Sequence, residues 1–190
     1  MNVPMESPVE LKPAALAVAG LLSEMGVTHV VTVPDNHSAP VLDAIQAEGQ
    51  IRLIYGTREG EVISLASGLW LGGGKPIVLI QNTGLLESGD GLRGTASRMG
   101  VPLLMLVTCR GFAKSRTFGK EPSEVEVTRD TLVRADLDSV AHMTESTLRA
   151  WGIPFVALRD SSDLSPIREG WEMAQREERP VAVLVDTLFG

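Results

Sequence analysis

Two acidic residues stand at the predicted entrance of a helix, in a place where carboxylates can do chemistry. Glu59 and Glu61 follow an apolar run at residues 51–55 and precede a long apolar segment with helical spacing at residues 62–71. In an α/β sheet, residues between the end of a strand and the start of the next helix lie at the carboxyl edge of the sheet, where ligands bind. A carboxylate there can accept a ligand hydrogen bond or transfer a proton. The simpler interpretation, that both acids only stabilise the helix N-terminus, is also open.

Other polar side chains follow other predicted strands. Asp35 and His37 come just after the apolar run at residues 29–33 and are candidates for proton transfer. Arg58 precedes Glu59, and Arg110 follows the strand predicted at residues 103–108. A guanidinium group presents a fork of donors that suits sulfonate, phosphonate or carboxylate. The two arginines are therefore candidates for binding an anionic substrate, although a solvated role is equally compatible with the sequence.

The elements that would position these residues alternate between strand and helix. Apolar, β-branched or leucine-rich runs predict buried parallel strands, and the segments between them have helical periodicity. We therefore predict an α/β fold, a three-layer sandwich in which helices flank a mostly parallel central sheet. Strands are predicted at residues 29–33, 51–55, 77–81, 103–108, 155–158 and 180–185, and helices at 13–25, 39–47, 59–71, 91–99, 137–150 and 165–177.

The chain is predicted to form a single domain over residues 1–190, since no linker divides it. Residues 1–10 are polar and contain two prolines, which favours a short N-terminal arm. Residues 82–90 are predicted to be a loop. Residues 110–127 carry both charge signs without periodicity, and we expect a mobile or partner-contacting loop there.

Composition excludes several classes of function. Hydrophobic residues make up 44% of the chain and charged residues 22%, as in globular proteins. A net charge of −7 disfavours nucleic acid as a partner. No apolar run is long enough to cross a membrane, and the single cysteine, Cys109, favours a cytoplasmic location. Neither histidines nor cysteine show the spacing of a metal site, so we expect no metal ligand in this chain.

The segment from Arg58 to Pro76 resembles the pyrimidine-binding (PYR) domain of thiamine diphosphate enzymes. In that family a helix opens with a glutamate and reaches a small glycine nine positions later, and here those residues are Glu59 and Gly68. The spacing selects Glu59, and not Glu61, as the match to the cofactor-activating glutamate. The resemblance implies the thiamine diphosphate-binding fold.

Three further stretches resemble one branch of this family, the sulfopyruvate and phosphonopyruvate decarboxylases. They are Val33-Pro34-Asp35, Gln81-Asn82-Thr83-Gly84-Leu85 and Arg110-Gly111. Departures occur beside two of them. Asn36-His37 stands where these enzymes usually have serine after the aspartate, and Leu86-Glu87 stands where they usually have Gly-Asn.

The resemblance implies a reaction and a set of contacts. Glu59 is expected to hydrogen-bond the pyrimidine ring of thiamine diphosphate and so to promote loss of the proton from the reactive carbon of the cofactor, which supplies the electron sink. A 2-oxo acid then loses carbon dioxide and gives an aldehyde. Asp35 and His37 are expected to relay protons. Cofactor contacts are expected from Glu59, Gln81, Asn82 and Thr83, and substrate contacts from Asn82, Thr83, Arg58 and Arg110.

Half of the expected cofactor site is missing from the sequence. Family members bind magnesium diphosphate through Gly-Asp-Gly and an asparagine about 24–27 residues later, according to the resemblance. Gly89-Asp90-Gly91 is present, but no asparagine follows Asn82. The resemblance thus implies that a β-type partner subunit carries the diphosphate-binding domain and the Mg²⁺. We expect this chain to be the α subunit of a hetero-oligomer, a heterotetramer or larger, acting on a sulfopyruvate-like or phosphonopyruvate-like acid.

Two alternatives are open at this point. The chain could belong to a thiamine diphosphate-dependent carboligase or synthase, which would form a new carbon–carbon bond instead of releasing an aldehyde. It could also be a non-catalytic homologue that binds a partner. Glu59 at the matching position argues against the second alternative, since such a homologue does not need that carboxylate.

Overall fold

The computed structural model describes residues 11–189, and the predicted arm at residues 1–10 lies outside that range. Six strands and nine α-helices are assigned in the described part of the chain. The strands are β1 (His29–Thr32), β2 (Arg52–Tyr55), β3 (Pro76–Gln81), β4 (Leu104–Thr108), β5 (Phe155–Leu158) and β6 (Val181–Val185). The helices are α1 (Pro13–Glu24), α2 (Ala39–Glu48), α3 (Glu59–Leu71), α4 (Asn82–Glu87), α5 (Gly89–Gly91), α6 (Phe112–Thr117), α7 (Arg129–Leu132), α8 (Ser139–Ala150) and α9 (Ser165–Glu177).

The strands form one sheet in the order β2-β1-β3-β4-β6-β5, and all five pairings are parallel. The predicted parallel α/β sheet is therefore confirmed. From β1 the chain moves first to one side, to β2, and then to the other, to β3. The gap between β1 and β3 at the carboxyl edge is thus the switch point of the topology, the usual ligand-binding place in open α/β sheets.

Both faces of the sheet are buried, so the fold has three layers. Along β3, Ile77 and Leu79 join one apolar core, and Val78 and Ile80 join the other. Residues of α1, α2 and α9 complete the first core, whereas residues of α3, α4 and α8 complete the second. This alternation of buried residues on both faces explains why the inner strands β3, β4 and β6 are almost entirely apolar, whereas the edge strands β2 and β5 have exposed positions.

The predicted loop at residues 82–90 is helical, which corrects the sequence-based expectation. Helix α4 starts directly after β3, and α5 leads into one π-helical turn at Leu92–Ala96. Two glycines, Gly84 and Gly89, lower the helix propensity of residues 82–90. Burial of Leu85 and Leu92 in the second core outweighs that propensity, because tertiary packing supplies most helical stability in proteins.

The segment at residues 110–127 also contains regular structure that we did not predict. Helix α6 buries Phe112, and a 3₁₀ turn spans Pro122–Glu124. The guanidinium of Arg116 pairs with the carboxylate of Asp186, which follows β6 and whose side chain is only 7% exposed. The carbonyl oxygen of Pro122 lies 3.2 Å from Nδ1 of the buried His142 on α8. Contacts with distant parts of the chain therefore hold this segment in place.

Candidate active site

The sequence-predicted site residues follow neighbouring strands at one edge of the sheet. Because all strands are parallel, Asp35 after β1, Glu59 after β2, Gln81 at the end of β3 and Arg110 after β4 all lie at the carboxyl edge. Asp35 and Gln81 flank the topological switch point. The fold thus brings together side chains that are up to 75 residues apart in the sequence.

The two acids at the start of α3 have different environments. Glu61 accepts hydrogen bonds from the backbone N–H and the hydroxyl of Thr57, at 3.0 and 2.9 Å, and these bonds lower the pKa of Glu61. Glu61 therefore stabilises the helix N-terminus. The Glu59 side chain is partly buried and makes no hydrogen bond or ion pair within residues 11–189. Its carboxylate is left free to bind a ligand.

Gly84 of α4 makes room for the Glu59 side chain. A Cβ atom at position 84 would lie closer than 3.0 Å to Cγ, Cδ and Oε1 of Glu59, a separation that real Cβ atoms essentially never show. Glycine is thus the residue that allows the carboxylate to rest against the backbone of α4. This close contact between Gly84 and Glu59 connects two motifs of the sequence, the one that begins at Arg58 and the one that begins at Gln81.

Arg58 is paired with a residue that the sequence analysis did not select. Its Nε and Nη2 lie 3.1 and 2.6 Å from Oε1 of Glu87 at the end of α4. The other oxygen of Glu87 accepts the backbone N–H of Gly60 at 2.6 Å. The hydrogen bond from Gly60 and the pairing with Arg58 lower the pKa of Glu87. Arg58 keeps Nη1 available for an anionic ligand.

Asp35 is partly used by the local fold. Its Oδ1 accepts the backbone N–H groups of His37 and Ser38 at 2.7 and 3.3 Å, and its Oδ2 accepts the hydroxyl of Thr108 at 3.2 Å. These bonds fix the turn after β1 and tie it to the end of β4. The His37 side chain is partly buried, makes no side-chain hydrogen bond among the described residues, and lines a cavity of about 180 Å³ with Cys109 and Asp186.

The three residues that begin at Gln81 have separate positions. Asn82 is fully buried, and its Nδ2 donates to the carbonyl of Arg110 and to the hydroxyl of Thr144 at 3.0 and 3.1 Å. Both amide hydrogens of Asn82 are thereby used within the chain, so it has no free side-chain donor for a substrate or cofactor. Thr83 is exposed and donates to Oε1 of Gln81 at 3.0 Å.

Arg110 is exposed and anchored at both its backbone and its side chain. Its N–H donates to Oδ1 of Asn82 at 3.2 Å, and its Nε lies 3.3 Å from Oδ2 of Asp138. Both terminal nitrogens of the guanidinium remain available. Gly111 follows with a φ of +87°, in the left-handed region that favours glycine, and a Cβ there would lie less than 3.0 Å from Asp138.

Within the described residues, no group of three or more histidine, cysteine, aspartate or glutamate side chains could hold a metal ion. Asp90, the acid of Gly89-Asp90-Gly91, is exposed and pairs with Arg93 at 2.5 Å. The described part of the chain also contains no helix long and apolar enough to cross a membrane.

Similarity to known proteins extends over most of the chain. Residues 13–131 match the family model described as thiamine pyrophosphate enzyme, N-terminal TPP binding domain. The chain is 27% identical over 177 residues to the sulfopyruvate decarboxylase subunit alpha of Methanococcus maripaludis, covering 93% of this chain and 96% of that protein. It is 30% identical over 125 residues to the phosphonopyruvate decarboxylase of Streptomyces viridochromogenes, covering 66% of this chain but only 31% of that protein.

A solved structure has the same fold. The 2-oxoglutarate:ferredoxin oxidoreductase of Magnetococcus marinus superposes with a TM-score of 0.60 over 90% of this chain and 28% of the longer one, at 18% identity. The family match includes the start of α3, the Gln81 segment and the end of β4, where the candidate site lies. The chain belongs to the thiamine pyrophosphate enzyme family and comprises its N-terminal, cofactor-binding domain.

Proposed function

We propose that this chain is the α-type subunit of a thiamine diphosphate-dependent 2-oxo acid decarboxylase. The substrate would be an anionic 3-substituted pyruvate of the sulfopyruvate or phosphonopyruvate type, and the products an aldehyde and carbon dioxide. Similarity over nearly the full length of a sulfopyruvate decarboxylase subunit alpha supports this assignment. The observation that carries it is the position of Glu59, which is partly buried at the carboxyl edge with a carboxylate that has no partner in the described chain.

The residues around Glu59 fit the pyrimidine of the cofactor. A partly desolvated carboxylate forms a strong hydrogen bond to a ring nitrogen, because the lower local dielectric strengthens it. The open backbone at Gly84 gives Glu59 its position, and Gln81 at the neighbouring strand end is a further candidate contact. When bound, the cofactor would supply the electron sink for decarboxylation. Glu59 would hold the proton at the pyrimidine nitrogen.

The substrate would lie near the switch point between β1 and β3. His37, which has no side-chain partner among the described residues, is the stronger candidate for proton transfer, and Asp35 orients the turn that carries it. The hydroxyl of Thr83 is exposed and can contact the substrate. Arg58 and Arg110 each use only part of their guanidinium group within the chain, and the rest can bind a sulfonate, phosphonate or carboxylate.

A β-type partner subunit would complete the site. The domain constitutes almost all of a relative named as a subunit but less than a third of a longer relative, so it occurs both as a separate chain and as part of one. We propose that the partner binds the diphosphate and Mg²⁺, and that the two chains form a heterotetramer or larger assembly. A cytoplasmic location is part of the proposal and is supported by the single, buried cysteine.

The function is tested by product analysis with the chain and its partner. Sulfopyruvate, phosphonopyruvate and pyruvate are incubated separately with the reconstituted complex, thiamine diphosphate and Mg²⁺, and carbon dioxide and aldehyde are measured. We expect equal amounts of both products from one of the two anionic acids, and a loss of at least about 10²-fold in Glu59→Gln. A new carbon–carbon bond would indicate a carboligase instead. Wild-type rates in Glu59→Gln would contradict the role of Glu59.

A further inference from the structure

Helix α4 contacts the start of α3 through two different residues. Gly84 lies against the side chain of Glu59, and Glu87, three residues later, binds the backbone N–H of Gly60 and the guanidinium of Arg58. Gly60 and Arg58 are the immediate neighbours of Glu59. One short helix therefore holds the residue before Glu59, the residue after it, and its side chain.

The Glu87 contacts replace a missing helix cap. The residue that caps α3, Arg58, makes no side-chain capping bond within residues 11–189, and the first N–H groups of a helix have no partner within the helix. A Glu87 oxygen fills this role at Gly60 from 27 residues away. Gly60 has no Cβ to hinder it, and a Cβ there would come within 3.3 Å of that oxygen.

An ordinary surface ion pair would not place the first turn of α3 in this way. The Arg58 side chain is 74% exposed, so its pairing with Glu87 alone would contribute little to stability. The Glu87 side chain is only 33% exposed, and its second oxygen is bound to the backbone of the helix that begins with Glu59. A backbone bond fixes the orientation of the turn, whereas a bond between two long side chains does not.

We propose that Glu87 is a positioning residue that fixes the direction of the Glu59 carboxylate by holding the first turn of α3. The expected effect of Glu87 on kcat rests on the proposed function, whereas its effect on the position of the Glu59 carboxylate does not. Glu87 is also a departure from the sequence pattern of the resembled decarboxylases, which usually have Gly-Asn where Leu86-Glu87 stands here. In this chain the Glu87 carboxylate would thus hold the first turn of α3.

The first test compares Glu87→Ala with Glu87→Gln in the reconstituted complex. Glutamine keeps an oxygen that can accept the Gly60 N–H, so kcat should remain within about threefold of wild type, whereas alanine should lower kcat about tenfold or more with little change in KM. In a Glu59→Gln background the alanine change should cause no further loss, since there is then no carboxylate to position. Glu169→Gln on α9 removes an exposed charge that has no partner among residues 11–189; it is the matched control and should have wild-type activity.

The second test does not depend on turnover. The ¹³C signal of the Glu59 carboxyl group is recorded in the full chain, together with the exchange rate of the Gly60 amide. We expect Glu87→Ala to shift the Glu59 signal and to speed Gly60 exchange, and Glu169→Gln to change neither. Unchanged Glu59 and Gly60 signals in Glu87→Ala would overturn the inference, as would a loss of kcat that persists in the Glu59→Gln background. If the wild-type complex has no activity but the Glu59 signal shifts, the proposed function fails and the positioning role stands.

Discussion

Replacing Gly84 with alanine tests most directly how the chain positions Glu59. The added Cβ would lie closer than 3.0 Å to three atoms of the Glu59 side chain, while ordinary van der Waals contact starts at 3.4 Å. Position 84 is buried in α4, and the backbone around it cannot easily withdraw. The carboxylate must therefore move instead of the helix.

The expected size of the effect follows from that displacement. Restoring ordinary contact requires the carboxylate to move by about 1 Å, and a misplacement of this size typically costs about 10²-fold in rate. Overpacking of a buried position destabilises a protein by about 1–3 kcal/mol, so the variant should still fold. We therefore expect kcat to fall about 100-fold, with a much smaller change in KM.

The assay is carbon dioxide release by the reconstituted complex, and folding is monitored by urea denaturation. Gly20→Ala on α1 is the matched control, because a Cβ there meets no atom of the described residues within 4 Å. It should keep full activity and raise the free energy of unfolding by up to about 1 kcal/mol. In a Glu59→Gln background, Gly84→Ala should cause little further loss of activity. A folded Gly84→Ala complex with wild-type kcat would show that the contact between Gly84 and Glu59 does not position the carboxylate.

Three further predictions concern stability and reactivity. Asp186→Asn should lower the free energy of unfolding by about 1–2 kcal/mol in urea denaturation, because it breaks the ion pair with Arg116. The loss is moderate because Asp186 is buried but Arg116 is partly solvated. An unchanged denaturation midpoint would contradict a stabilising role of this ion pair. Burial, with a further contribution from the nearby Asp186, raises the pKa of the Cys109 thiol. Ellman's reagent at pH 8 should therefore label the folded chain far more slowly than the urea-unfolded chain. Equal labelling rates would be inconsistent with the burial of Cys109. The pKa of Glu87 is lowered below its ordinary value of 4.5, so its contribution to stability is fully present above pH 4.5 and disappears as the pH falls through the lower pKa of the folded state. Wild type should therefore be more stable than Glu87→Gln at pH 7 and lose this advantage in acid below pH 4.5, and a stability difference that does not depend on pH would argue against the ionised contact.

Local patterns were sufficient to predict the sheet but not the segments that connect it to the site. The apolar runs located all six strands within one or two residues, and the signal is strongest for β3, β4 and β6, which are buried on both faces and almost entirely apolar. Residues 82–90 are helical although we predict a loop there, because their glycines lower the helix propensity. Burial of Leu85, and of Leu92 just beyond this range, stabilises the helical conformation, and the sequence pattern does not reveal that burial. Helix α6 depends on the pairing of Arg116 with Asp186, 70 residues away, which periodicity does not reveal.

The candidate site was only partly predictable for the same reason. Spacing selects Glu59 over Glu61, and the two side chains differ in the structure, since Thr57 binds Glu61 whereas the Glu59 side chain makes no hydrogen bond within residues 11–189. Gly84 was part of a predicted motif, but its contact with Glu59 joins segments 25 residues apart. Glu87 was noticed only as a departure from a pattern. Its role depends on which backbone N–H it reaches, and that is a property of the fold.

We propose that this chain holds one half of a cofactor site and that a partner subunit completes it. Titration calorimetry tests it by adding thiamine diphosphate and Mg²⁺ to the chain alone, to the partner alone, and to their mixture. We predict tight binding in the mixture only, with weaker binding when Glu59 is changed to Gln. Equally tight binding by the chain alone, or no binding in the mixture, would contradict a cofactor site shared between the two subunits.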